Sequence, residues 1–109
     1  MIFELRVYEI LPGQMDEMHK RFRDHLMPLF KKHGIEVVLV GVPEIGDMSN
    51  HFTYVARFAD LGHRERSWES FHTDQDRLAY RSNVGPVDPV VRRFRSTILK
   101  AADYSPSNE

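Results

Sequence analysis

Ile2-Phe3-Glu4-Leu5-Arg6-Val7-Tyr8-Glu9-Ile10 alternates in character: Phe3, Leu5 and Val7 share one side, and Glu4, Arg6 and Tyr8 the other. A period of two is the pattern of a half-buried β-strand. Leu11-Pro12-Gly13 stops the strand. Beyond that turn the period changes. Met15, Met18, His19, Phe22, Leu26, Leu29 and Phe30 recur at steps of three and four, which predicts one apolar stripe on a helix from about Gln14 to His33. Asp16–Lys20, Glu17–Arg21 and Lys20–Asp24 stand at i,i+4 spacing on its outer face. Pro28 is expected to bend this helix, because it lacks a backbone donor and crowds the preceding turn. Gly34 is placed to end it.

Glu36 to Val42 contains Val37-Val38-Leu39-Val40, too short and too β-branched for a helix, and reads as a strand with little exposure. A third strand is predicted from His51 to Ala59, with Phe52, Tyr54, Ala56 and Phe58 on one side. Asp60 can cap the next helix, whose Leu61, Arg64, Trp68 and Phe71 lie along one face. Thr73, with Asp76 three residues on, resembles a capping box that would start a shorter helix through Leu78 and Tyr80. Val90 to Leu99 reads as the last strand. The order is therefore β-α-β-β-α-β, an α+β, ferredoxin-like plan with an antiparallel sheet. It predicts one domain over 1–101 and a loose C-terminal tail over 102–109. Helices cover one sheet face in such a plan, and the alternation puts Glu4, Arg6 and Tyr8 on the face left open. Val55, Phe94 and Ile98 would add apolar area there, so a homodimer is expected through the open sheet face.

The 109 residues carry 15 Lys+Arg, 16 Asp+Glu, six His and no Cys, for a formal net charge of −1. That balance lacks the basic footprint of a nucleic-acid binder. Without cysteine there is no thiolate nucleophile, disulfide or Cys-based metal centre. No stretch approaches the ~20 apolar residues of a membrane span, and the alternating N-terminus is unlike a signal peptide, so the expected location is cytoplasmic. No His pair has the i,i+4 spacing of a zinc helix, and no metal or cofactor is expected. His51 and His72 are the residues considered as haem ligands, and His72 beside Asp74 and Asp76 is a candidate oriented base. Arg92-Arg93-Phe94-Arg95 is the only basic cluster; on a strand its residues alternate sides, and Asp88 is its nearest carboxylate.

Glu4-Leu5-Arg6-Val7-Tyr8 followed by Pro12-Gly13 resembles the opening of the NIPSNAP family. Asn50-His51-Phe52 through Phe58, then Asp60-Leu61-Gly62-His63-Arg64 and Trp68, is similar to that family's middle segment. The resemblance runs from Ile2 to about Lys100. It implies a dimeric α/β barrel, an architecture shared by cofactor-independent monooxygenases, EthD-like proteins, dye-decolourising peroxidases and muconolactone isomerases. It implies shape more than reaction.

The residues themselves offer Arg6 and Tyr8, about 7 Å apart on one strand face, as a cation and a phenol for an anionic or aromatic ligand. Tyr54, Arg64 and Trp68 complete the candidate ligand-binding set, with the two rings as pocket walls. The expected function is binding of a small aromatic or anionic organic molecule between sheet and helices. If turnover follows, the expected class is cofactor-independent oxygenation or isomerisation, with Arg6 holding an oxyanion. The alternative is a non-catalytic homodimeric interaction or scaffold protein, in which Glu4 and Arg6 form an ion pair and Tyr8 packs at the subunit contact.

Overall fold

The computed structural model of the chain describes residues 1–108. Strand β1 (Ile2–Ile10) leads into helix α1 (Met15–Arg21), one π-helical turn (Phe22–Leu26) and helix α2 (Met27–Lys32). Strands β2 (Glu36–Gly41) and β3 (His51–Phe58) follow, then helices α3 (Leu61–His72) and α4 (Gln75–Val84) and strand β4 (Val91–Lys100). The sheet order is β2-β3-β1-β4, and every neighbouring pair is antiparallel. This is the expected ferredoxin-like arrangement, with the N-terminal strand at the centre. The tail turns through a short 3₁₀ segment, Pro106–Asn108. Its last residue, Glu109, lies outside the described residues.

The expected bend at Pro28 takes the form of the π-helical turn just before it. The Met27 N–H donates to the Phe22 carbonyl, five residues back instead of four. Widening the helix by one residue gives room to a proline ring that would otherwise press on the carbonyl of Asp24. Phe22, Leu26, Leu29 and Phe30 nevertheless all stay on the core side.

These side chains and Met18 pack on the sheet face carrying Ile2, Ile10, Phe52, Tyr54, Ala56 and Phe58, while Trp68 and Phe71 of α3 close the layer. Each large side chain buried there contributes roughly 1.5–3 kcal/mol. Asp60 caps α3 as its position suggests, accepting from the His63 N–H at 2.7 Å.

Four expectations are corrected. Glu4, Arg6 and Tyr8 face the helices and not the open side: β1 pairs Arg6 with Tyr54 and Glu4 with Ala56, both core residues of β3. Alternation shows that two sets of side chains diverge but not which set is buried, and here Glu4 is buried because α3 and β4 bring donors to its carboxylate. Phe3, Leu5, Val55 and Leu99 stand on the other face, which the core cluster does not use, while Phe94 and Ile98 lie on the helix side with Tyr8 and Glu4. Strand β2 is not secluded either. It is an edge strand with a bulge between Val37 and Leu39, and Leu39 is 61% exposed.

The cap of α4 is Asp74 and not Thr73: its carboxylate accepts from the Asp76 and Arg77 N–H groups at 2.8 and 3.3 Å. Thr73 ends α3 instead, donating its hydroxyl to the Glu69 carbonyl. Finally, Asp88 serves Arg21, not the β4 arginines, of which Arg92 and Arg93 reach Glu9. With Arg21 drawn there, no Glu17–Arg21 ion pair forms among the described residues.

Candidate functional site

Residues 64 and 68 are one helical turn apart on α3, so Arg64 and Trp68 point together at β1. Between them lies the Glu4 carboxylate, with no exposed surface. Trp68 Nε1 and Arg64 Nε donate to Oε1 at 2.8 and 2.9 Å. Arg6 Nε and Ser96 Oγ donate to Oε2 at 2.8 and 2.7 Å. Burial alone would raise the Glu4 pKa, but the donors Arg64, Ser96 and Arg6 outweigh it and lower it to about 2. A buried charge with this many partners ties β1, β4 and α3 together.

Arg6 also reaches forward, away from Glu4. Its guanidinium lies 4.2 Å above the Trp68 ring and 4.9 Å from that of Phe94, and Nη1 donates to the Tyr8 hydroxyl at 3.3 Å. Burial disfavours its charge, yet the neighbouring Tyr54 and Tyr8 oxygens and the bonds to Tyr8 and Glu4 prevail, so Arg6 is held firmly charged. Tyr8 stacks on Phe94 at 4.9 Å and on Tyr54 at 5.9 Å.

These groups line a cleft of about 760 Å³ between the sheet and the helices. Ligand pockets commonly measure about 300–1,000 Å³. On the opposite wall, Arg77 and Arg81 of α4 and Arg21 of α1 enter the cleft. Arg21 is matched, with Asp88 at 2.8 and 3.1 Å and the Tyr80 hydroxyl at 3.1 Å. Among the described residues no carboxylate forms an ion pair with Arg77 or Arg81. Arg77 lies 5.1 Å over Phe71 and directs Nη1 to His25 Nε2 at 3.4 Å. Burial, then the charges of Arg81 and Arg21, lowers its pKa. His25, stacked on Tyr80 at 3.8 Å, and His72, stacked on Trp68 at 5.7 Å, are both pushed down, first by burial and then by the arginines. The cleft thus holds aromatic walls under a surplus of positive charge.

One buried polar group in the cleft is unmatched. Tyr54 has no exposed surface, and its hydroxyl finds no hydrogen-bond partner among the described residues. Burial, and then the neighbouring Tyr8 hydroxyl, raise its pKa well above the usual phenol value, so it remains a hydroxyl donor.

Of the residues expected from sequence, Arg6, Tyr8, Tyr54 and Trp68 line the cleft together. Arg64 does not: it stands behind Trp68, spent on Glu4. His72 lines the cleft, but Asp74 does not orient it, because that carboxylate serves Lys32 at 2.8 Å and His33 at 2.7 Å. His51 bonds to Asp47. The missed residues are Arg21, Arg77, Tyr80 and Arg81. The spacing of Arg77, Tyr80 and Arg81 on α4 was a readable signal, since steps of three and four share a helix face. Among the described residues no cluster of His, Asp and Glu could hold a metal ion, and no helix is long and apolar enough to cross a membrane.

Comparison with known proteins now bears on this arrangement. The NIPSNAP family model matches residues 3–106. The chain belongs to the NIPSNAP family. Its structure is similar to that of an uncharacterised NIPSNAP domain protein from Burkholderia xenovorans, with a TM-score of 0.84 at 21% identity, covering 97% of this chain and 99% of that one. A NIPSNAP family protein of unknown function from Agrobacterium tumefaciens gives 0.82 at 24% identity, covering 97% and 92%. More distantly, an MhuD variant with two manganese protoporphyrin IX bound per active site shares the fold, with a TM-score of 0.63 at 11% identity over 93% and 94% of the two chains. No curated protein matches the sequence. The matched span includes Glu4-Leu5-Arg6-Val7-Tyr8, whose Arg6 and Tyr8 line the cleft.

Proposed function

We propose that this NIPSNAP-family protein binds a small aromatic organic anion in the cleft between sheet and helices, as a homodimer joined through the opposite sheet face. The observation that carries the reading is the pairing of aromatic walls with arginines that lack a carboxylate: Arg77 and Arg81 raise the potential where Tyr8 and Phe94 supply flat apolar surface, backed by the buried rings of Trp68 and Phe71. Such a site favours a planar body carrying negative charge, because stacking and guanidinium contacts act together. Exposed Leu39 and Leu99 beside half-buried Phe3, Leu5 and Val55 on that face support the dimer.

Two groups suit turnover of such a ligand. Arg6, held charged, can stabilise an oxyanion, and His72, its pKa lowered by partial burial and the arginines, can accept a proton. A porphyrin is the second reading, favoured by the relative that holds one. A flat tetrapyrrole with carboxylates suits rings and arginines, and His72 would offer the imidazole.

Calorimetric titration with cinnamate tests the main reading. Arg77→Gln is expected to weaken binding about tenfold, the scale of one charged hydrogen bond, while light scattering still reports a dimer. Loss of the dimer together with the ligand would assign the cleft arginines a structural role. A Soret shift with haemin alongside no response to cinnamate would favour the porphyrin. Silence with both would favour a scaffold.

A further inference from the structure

The two ends of the cleft differ in charge balance. At the inner end, Glu4 lies 2.8 Å from Arg6 Nε and offsets its charge. At the outer end, Arg77 and Arg81 have no carboxylate against them among the described residues. Trp68 and Phe71, with ring centres 5.5 Å apart, run between the two: Arg6 sits over the first and Arg77 over the second.

Hydrogen-bond capacity is left over at the inner end. Arg6 and Tyr54 face each other across the β1–β3 register. Of the five N–H groups of a guanidinium, those engaged on Arg6 lie on Nε and Nη1, toward Glu4 and Tyr8. Nη2 has no protein acceptor among the described residues. The Tyr54 hydroxyl beside it has none either, though it is fully buried. A buried donor without an acceptor costs roughly 1–3 kcal/mol, so the inner end stores a preference for an oxygen that accepts from both. A second carboxylate there would be repelled by the Glu4 charge, whereas an uncharged oxygen would not.

We propose, resting on the reading above that the cleft takes an aromatic anion, that its preferred ligand is an aromatic carboxylate with a hydroxyl or carbonyl oxygen at the opposite end. The carboxylate lies at Arg77 and Arg81, the ring system against Tyr8 and Phe94, the less buried rings of the cleft, and the far oxygen between Arg6 and Tyr54. The ligand class is therefore oxygenated aromatic acids, such as phenolic acids, and not simple aromatic acids. A carbonyl oxygen at the inner end, once polarised by Arg6 and the Tyr54 hydroxyl, would be the atom best able to carry developing negative charge.

The test compares para-hydroxycinnamate with cinnamate, and para-hydroxybenzoate with benzoate, by calorimetric titration of the full chain. The hydroxylated member of at least one pair is expected to bind about tenfold more tightly, the scale of one net hydrogen bond at a site otherwise left unmatched. In Tyr54→Phe that ratio is expected to fall close to one, while circular dichroism shows a folded protein. Arg77→Gln is expected to weaken both members of a pair by a similar factor and so preserve the ratio. Equal binding of both members to the wild-type protein, or an unchanged ratio in Tyr54→Phe, would overturn the assignment of the inner end while leaving aromatic-anion binding in place. Failure of all four acids to bind would instead overturn the underlying reading, and with it this one.

Discussion

Glu4 and Tyr54 are neighbours on adjacent strands, both without exposed surface, and they are treated in opposite ways. Glu4 receives hydrogen bonds from Trp68, Arg64, Arg6 and Ser96. Tyr54, two residue pairs along the same register, has none for its hydroxyl among the described residues. The more costly group to bury, a carboxylate, is fully provided for, and the cheaper one is not. The contrast separates two roles on one sheet face: the matched group holds elements together, and the unmatched group is the one we propose to meet a ligand oxygen.

The largest test of that contrast lies on the Glu4 side. Glu4→Ala leaves Arg6 and Arg64 facing each other without their shared anion, and a loss of roughly 3–5 kcal/mol is expected in urea unfolding, as for removal of one partner from a buried ion pair. A loss below 1 kcal/mol would make the cluster peripheral. The pH dependence follows the same group. Because the folded pKa of Glu4 is lowered from 4.5 to about 2, its contribution is fully present above the unfolded value and is lost as pH falls from about 4.5 through about 2. It amounts to on the order of 3 kcal/mol, and Glu4→Gln is expected to lack this part of the acid limb.

On the unmatched side, Arg77→Gln is expected to weaken aromatic carboxylates about tenfold or more with little change in stability, since it also relieves repulsion from Arg81 and Arg21. The smallest effect is the most discriminating. Tyr54→Phe removes a buried hydroxyl without a partner, so the ligand-free protein is expected to gain about 1 kcal/mol, read as a higher melting temperature. Destabilisation by the same amount would mean that the hydroxyl is already satisfied.

The strand order and the helices could be read from periodicity because these elements are regular: β1, β3 and α3 each repeat one pattern across their length. The face of β1 could not. Alternation divides Glu4, Arg6 and Tyr8 from Phe3, Leu5 and Val7, but the buried side is decided by donors from residues 64, 68 and 96, far off in sequence. The exposure of β2 was misread for a related reason, since an apolar run does not say whether the strand lies at an edge. Part of the site was visible in Arg6, Tyr8, Tyr54 and Trp68, whose residue types suit an aromatic anion. Arg21 was hidden by a local partner, Glu17, that it forsakes for the distant Asp88. Arg77 and Arg81 share a helix face by their spacing, but only the fold lays α4 along the cleft.

The central claim is that the arginines without a carboxylate face a ligand's negative charge over aromatic walls. Calorimetric titration of cinnamate into the wild-type protein and into Arg77→Gln, each at low and at high salt, tests it most directly. One site per protomer is expected, with affinity about tenfold weaker in the variant and a salt dependence that is steeper in the wild type, because added ions screen the uncompensated charge. Binding that is absent, or that is equal in the two proteins at both salt concentrations, would contradict the account.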